Sequence, residues 1–336
     1  MRCIAHTIAS ASLGVLWLIS IALRRRIIVF TRPIGNLGNR LYSFAPVLAF
    51  SKEFRCIVIN PGFGHWRSSF LGTKPGIVAM YPPLQIPNIK GARIDKIVTK
   101  FFRAAEKVVF ANSSRNHFST IRLASNEWIC LDTQSFLTWF QTKRIIFLDG
   151  FLFVSPKLLP IHADSVRKYF NQLAGADSNA LKPLFLLRRD CQVVVGVAIR
   201  HGDYREWNEG KYFFDASIYV KWIHQINNLM MDKRVGFFLC CNDHLDLEGL
   251  ENIRFEFRAA HDLENRAVLA GCDLIISPPS TYAGWAAFQG NIPIQWLNSA
   301  EQDLTLEDFK IVWPMDPTDV SFSRLKEVSV LRSSGR

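Results

Sequence analysis

The stretch Val193–Tyr204, reading VVVGVAIRHGDY, limits the fold of this chain more than any other. Val193–Val197 is an unbroken apolar run that includes one glycine, the pattern of a buried strand. The run soon breaks into Arg200, His201, Gly202, Asp203 and Tyr204. An open α/β sheet presents its ligand-binding groups in such turns, beyond the carboxyl ends of its strands. Arg200 is a permanently charged fork that suits phosphate. Gly202 lets the backbone turn tightly or approach a ligand. Asp203 can fix a neighbouring arginine through a hydrogen bond. The same residues also describe a surface turn closed by a local Arg–Asp pair, and local sequence leaves the two readings level.

The strand-then-turn rhythm recurs along the chain. Ile27–Thr31 is a short buried-strand pattern, Arg32–Arg40 a loop rich in Gly and Asn, Leu41–Glu53 a helix pattern and Cys56–Asn60 another strand. Strand, loop, helix and strand in that order form the unit of a parallel sheet. Pro61–Pro87 carries many Gly and Pro residues and reads as loop. Lys96–Glu106 reads as a basic helix, then Lys107–Ala111, Glu127–Asp132 and Arg144–Leu148 as strands, and Pro160–Leu173 as a helix. Further on, Asp215–Met231 reads as a long amphipathic helix, and Val235–Cys240, Ile253–Phe257, Asp273–Ser277 and Ile292–Trp296 as strands. Glu264–Ala270 and Thr281–Gln289 complete the pattern as helices. With 336 residues, two domains are expected. The pattern divides into an apolar segment 1–26, a Rossmann-like domain 27–173, a linker 174–190, a second Rossmann-like domain 191–320 and a tail 321–336.

The formal net charge is +11, which favours anionic partners: phosphorylated substrates, nucleic acid or an acidic lipid surface. No run of five basic residues occurs, and no zinc-finger or RNP-type pattern, so nucleic acid is not expected as a partner. The seven cysteines are scattered, with no CxxC pair. That spacing fits neither a disulfide framework nor a zinc site, and points to reduced core thiols and a reducing compartment. Ile8–Leu23 is almost wholly apolar or small and is closed by Arg24–Arg26. Its length, about sixteen residues, falls short of the roughly 20 needed to span a bilayer, and its charge follows the apolar run where a signal peptide would carry it before. The segment therefore reads equally as a candidate membrane anchor, with the body of the protein cytoplasmic, or as an extension of a cytoplasmic protein.

Each of three polar turns follows an expected strand: Gly35–Arg40, Arg200–Tyr204 and Pro278–Tyr282. In the third, Ser280 or Thr281 caps a helix whose free N–H groups form an anion site, or serves as an ordinary cap and nothing more. The first, GNLG, is not the GxGxxG fingerprint and alone says little. As an ordered set, the turns resemble the fucosyltransferase superfamily, in particular the α-1,2-fucosyltransferases and their bacterial relatives. That group carries a GxGN-type loop, a strand ending in H-x-R-R-G-D-Y, and a late S-T-F-s-W-A segment. Gly35-Asn36-Leu37-Gly38-Asn39-Arg40, Ala198-Ile199-Arg200-His201-Gly202-Asp203-Tyr204 and Ser280-Thr281-Tyr282-Ala283-Gly284-Trp285-Ala286 stand in the matching places.

The resemblance implies an α/β fold of GT-B type, two Rossmann-like domains facing a cleft. It also implies inverting transfer from GDP-fucose to a glycan or lipid-linked saccharide, with no metal and no cofactor beyond the donor itself. On that implication Arg200 contacts the donor diphosphate, Ser280 and Thr281 hold phosphate, and Asn39 reaches the cleft. Asn265 or Glu264 lies where the family reads guanine, and Asp203 braces Arg200. The chain departs from the family at Ala198, where the histidine is expected, at His201, where the second arginine is expected, and at Tyr282 in place of Phe. His201 either supplies a second, pH-dependent positive charge or only bonds locally. A transfer of this kind also needs a base, for which Asp203, Glu206 and Asp243 are candidates. Trp66, Tyr204, Trp207 and Tyr212 are candidates for stacking on sugar faces. The departures leave a second reading open, a non-catalytic nucleotide-sugar or glycan-binding protein with a degenerate transferase site.

Overall fold

The computed structural model describes residues 13–32, 35–74, 78–83, 92–111, 117–171, 179–243, 245–260, 263–317 and 325–329. Residues 8–12 of the apolar segment, 174–178 of the expected linker, Cys3 and most of the expected tail lie outside these. The chain divides into two units, Met1–Asn171 with Trp313–Arg336, and Gln172–Val312.

The first unit begins with helix α1 at residues 13–22. Strand β1, Ile27–Phe30, leads into α2, Leu37–Glu53, and then into β2, Ile57–Asn60. A 3-10 segment, Pro61–Ser69, and β3, Ala79–Tyr81, occupy part of the stretch expected to be loop. Next come α3, Ala92–Ala111, β4, Phe118–Arg122, β5, Glu127–Cys130, and α4, Gln134–Thr142. β6, Ile145–Asp149, β7, Leu152–Val154, and the short helices α5, Leu158–Ile161, and α6, Ala163–Tyr169, follow. The main sheet has the order β3-β2-β1-β6-β4, parallel except for β3. β1 and β6 are buried along their whole length, as central strands of a sheet covered on both faces must be.

Three expectations change here. α2 starts at Leu37, because Gly38–Arg40 already continue the helix from an extended N-cap at Asn36. Lys107–Ala111 is not a strand but the last turns of α3. Phe102, Ala105 and Val109 lie at helical spacing and are buried against β1, β2 and β6, so packing overrides the β-branched composition. Pro160–Leu173 is not one helix: α5 and α6 break at His162, whose imidazole lies 2.7 Å from the Glu53 carboxylate.

α1 buries Leu13, Leu16 and Ser20 and leaves Val15, Leu18, Ile19 and Ala22 exposed as a second stripe. Among the described residues no helix is long and apolar enough to cross a membrane. At the other end of the chain, strand β13, Lys326–Glu327, pairs with β5 in a small parallel sheet, β13-β5-β7. The end of the chain thus belongs to the first unit.

The second unit opens on α7, Lys182–Asp190, so the last part of the expected linker is helical. Pro183 in its first turn and the buried Leu187 explain why: the proline suits a helix start, and the leucine packs on the sheet. The strands are β8, Val193–Ala198, β9, Val235–Cys240, β10, Arg254–Arg258, β11, Leu274–Ser277, and β12, Ile294–Trp296. The helices are α8, Ala216–Leu229, α9, Leu263–Ala270, and α10, Thr281–Gly290. All five strands are parallel, in the order β10-β9-β8-β11-β12.

α8 covers one face of this sheet with Tyr219, Trp222, Ile223 and Ile226, which recur at helical spacing. Each such fully buried large side chain contributes about 2 kcal/mol. The Trp222 indole N–H is satisfied by the Gln302 carbonyl at 2.9 Å. α7, α9 and α10 supply residues to the cluster on the other face.

The six cysteines among the described residues are free, and five are buried. Burial pushes the Cys56 thiol up to about 12.

Candidate functional site

The strand order of the second unit fixes where its polar turns gather. The chain runs outward from β8 through β9 to β10, then returns to place β11 on the other side of β8. The order therefore reverses between β8 and β11, and the crevice beyond their carboxyl ends is the place where open α/β sheets bind ligands. The turn after β8 is Ile199–Tyr204 and the turn after β11 is Pro278–Ser280. Two of the three polar turns read from the sequence thus lie side by side.

Hydrogen bonds tie these turns together. Ser277 Oγ, at the end of β11, donates to the Ala198 carbonyl of β8 at 3.1 Å. The Tyr204 hydroxyl donates to the Pro279 carbonyl at 2.6 Å. Burial pushes the Tyr204 phenol up, with Arg200 beside it working in the opposite direction, so the hydroxyl keeps its proton for that bond. From beneath, the Tyr219 hydroxyl of α8 accepts the backbone N–H of Arg200 at 3.4 Å.

Arg200 lies across the Tyr204 ring, its guanidinium carbon 4.4 Å from the ring centre. One of its terminal nitrogens is 3.4 Å from Asp203 Oδ1. The arginine side chain is only 14% exposed, whereas Asp203 is 67% exposed. A fork held on an aromatic face and steadied by a carboxylate keeps its direction without surrendering its charge. Gly202, between the two, has φ +60°, a conformation that other residues adopt only at a cost.

His201 points the other way. It is 5% exposed, its Nε2 lies 2.8 Å from the Phe214 carbonyl, and its ring centre is 4.5 Å from that of Phe213. Its Nδ1 is 3.8 Å from Asp243, which stands just beyond β9. The imidazole thus joins the turn after β8 to Phe214 and the end of β9.

Ser280 is the N-cap of α10, and its Oγ accepts the backbone N–H of Ala283 at 3.0 Å. Thr281 begins the helix, whose first-turn N–H groups and dipole favour an anion. Asn265 is on α9. It is 1% exposed, and its amide donates to the Ala260 carbonyl at 2.9 Å. Its neighbour Glu264 is 3.8 Å from Arg258.

Asn39 belongs to the first unit, on α2, where its side chain folds back over Gly35. Gly35 also has φ +60°, and a Cβ there would occupy the space that the Asn39 amide fills. The adjoining Arg40 fastens this turn, donating to the carbonyls of Gly35 at 3.1 Å and Gly62 at 2.8 Å.

Two further features were not singled out from the sequence. Arg32, just after β1, makes a two-point contact with Asp149 at the end of β6, at 2.8 and 2.9 Å. Arg122, at the end of β4, donates to Glu106 at 2.8 and 2.6 Å and lies 3.7 Å from Asp149. These pairings span up to 117 residues, and no local motif announces them. Among the described residues, no group of three or more His, Cys, Asp or Glu side chains could hold a metal ion.

The sequence matches no protein family and no curated protein. The fold does match solved structures. A mutant of Arabidopsis thaliana FUT1 in complex with GDP aligns with a TM-score of 0.50 at 11% identity, over 87% of this chain and 75% of that one. A glycosyl transferase family 9 protein from Veillonella parvula aligns with a TM-score of 0.37 at 12% identity, over 81% of this chain and 80% of that one. At such identities the likeness is one of fold, and the chain has the α/β architecture of GT-B type.

Proposed function

We propose that this chain is a glycosyltransferase that moves fucose from GDP-fucose to a hydroxyl of a glycan or lipid-linked saccharide, inverting the anomeric carbon without a metal ion. One observation carries the reading: the turns after β8 and β11 meet at the topological switch point, with Arg200 and the N-terminus of α10 in them. A fold neighbour solved with GDP supports the choice of a guanosine diphosphate donor. In the step itself, the acceptor oxygen forms a bond to the anomeric carbon as the bond from that carbon to the diphosphate breaks. GDP leaves with the electron pair, and the acceptor proton passes to a carboxylate. Arg200 and the positive end of the α10 dipole, near Ser280 and Thr281, stabilise the charge that develops on GDP. Asp203 acts through Arg200 by fixing its orientation.

Arg200→Ala tests this assignment. Removing a preorganised charge of this kind lowers turnover by about 100-fold or more, in a variant whose circular dichroism and cooperative unfolding show that it is still folded. Wild-type transfer by the Ala variant contradicts the proposal.

The orientation of His201 favours a second reading. With its imidazole turned toward Phe214, Arg200 is the single arginine of the motif, as in a nucleotide-sugar binder without turnover. GDP released from GDP-fucose in the presence of a glycan acceptor excludes this reading, and tight GDP-fucose binding with no release establishes it.

The exposed stripe of α1, closed by Arg24 and Arg25, supports a seat on an anionic membrane surface. Co-sedimentation with phosphatidylserine vesicles, lost in Leu18→Asp, is the expected result. Equal sedimentation of the two proteins rules out that seat.

A further inference from the structure

The turn after β8 runs on into a loop that the clamp itself does not use. Trp207 lies on it, 47% exposed despite being the largest apolar side chain there. Its ring centre is 4.8 Å from that of Tyr204 and 5.5 Å from that of Tyr212, the latter nearly parallel at 30°. Tyr204 is in turn the ring under Arg200, so the aromatic row starts at the clamp and runs outward. The backbone that carries Trp207 is strained. Asn208, Glu209 and Gly210 follow it with φ of 52°, 59° and 74°, a left-handed run in which two of three residues carry a Cβ. Strain of this kind persists where the surrounding structure imposes it, and it gathers at ligand sites. Here it presents the indole between three polar neighbours. Glu206, Asn208 and Glu209 are all exposed, and their side chains have no hydrogen-bonding partner among the described residues. By contrast, the cations of the loop are engaged: Arg205 lies 4.4 Å from the Phe213 ring centre and Lys211 5.1 Å from that of Tyr212.

We propose that Trp207, with Glu206, Asn208 and Glu209 around it, is a docking platform for a saccharide. A sugar presents a face of C–H groups that stacks on an aromatic ring, and an edge of hydroxyls that needs acceptors. The indole supplies the first, and two carboxylates and an amide supply the second. A nucleotide would bring its phosphates toward those unpaired carboxylates, whereas a neutral sugar meets no such repulsion. The inference rests on the transfer reading only in naming this saccharide the acceptor.

The test titrates the full chain with lactose, cellotetraose and mannotriose by saturation-transfer NMR, and separately with GDP by calorimetry. Wild-type protein binds at least one of the three sugars. Trp207→Ala weakens that binding at least tenfold, Trp207→Phe retains more of it, and GDP affinity stays within twofold in both. If wild type binds none of the sugars, or Trp207→Ala binds them as wild type does, the platform is overturned. It is also overturned if Trp207→Ala instead loses tenfold in GDP affinity, since the ring then serves the nucleotide. Sugar binding that depends on Trp207, in a wild-type protein that does not bind GDP, upholds the platform and contradicts the transfer reading.

Discussion

Arg200 and His201 are neighbours with opposite fates. Arg200 lies on the Tyr204 ring at the rim of the crevice, while His201 turns inward to the Phe214 carbonyl. The neighbours thus have different surroundings, an aromatic face and a carboxylate for Arg200 and a buried carbonyl for His201. From sequence the histidine was equally a second cation or a locally bonded residue. Its imidazole is buried against Phe214 and Phe213, with Asp243 3.8 Å away. At the same scale, Cys56 sets a pH dependence. Burial holds its thiol up at about 12 in the folded chain, against about 8.5 when unfolded. The folded state therefore favours the protonated thiol. Its contribution to stability is complete below about pH 8.5 and is lost as pH rises toward 12. Tyr169, Tyr204 and Tyr219, all raised by burial, act in the same direction at higher pH. Urea unfolding at pH 8 and pH 10 checks this: stability falls between the two, and falls less in Cys56→Ala. An identical fall in both proteins refutes the assignment to Cys56.

Among the elements, β8 carries the most consequence. Gly196, at its centre, faces α9 so closely that a Cβ would stand 2.7 Å from Leu269 Cδ2 and 3.3 Å from Cys272 Sγ. Leu269 is itself fully buried. Gly196→Val is expected to destabilise the protein by about 1–3 kcal/mol, measured as a lower denaturant midpoint with an unchanged slope. A neutral effect would show that α9 is free to shift. β8, β9, β11 and α8 were legible because their apolar residues follow one period without interruption. Lys107–Ala111 was misread because Val108, Val109 and Phe110 suit a strand locally. Only the burial of Val109 one turn beyond Ala105 shows that the helix continues. The start of α2 was misplaced because Gly38 and Asn39 signal a turn, although the helix already includes them.

For the molecule as a whole, the two-unit α/β plan was readable from the alternation of strands and helices, and the fold likeness agrees with it. The return of Trp313–Arg336 to the first unit was not, because a two-residue strand such as Lys326–Glu327 has no period to detect. In the candidate site, the turns after β8 and β11 were legible as motifs, but their adjacency follows from strand order, which no single stretch encodes. The Arg32–Asp149 contact and the stacking of Trp207 on Tyr212 depend on packing in the same way. On the proposed function, the switch point between β8 and β11 binds the nucleotide diphosphate of a donor sugar. Amide hydrogen exchange with and without GDP tests it most directly. Slower exchange is expected on GDP addition in peptides covering Ile199–Tyr204 and Ser280–Gly284, with the protection abolished in Arg200→Ala. Protection confined to other segments, or none at saturating GDP, would contradict it.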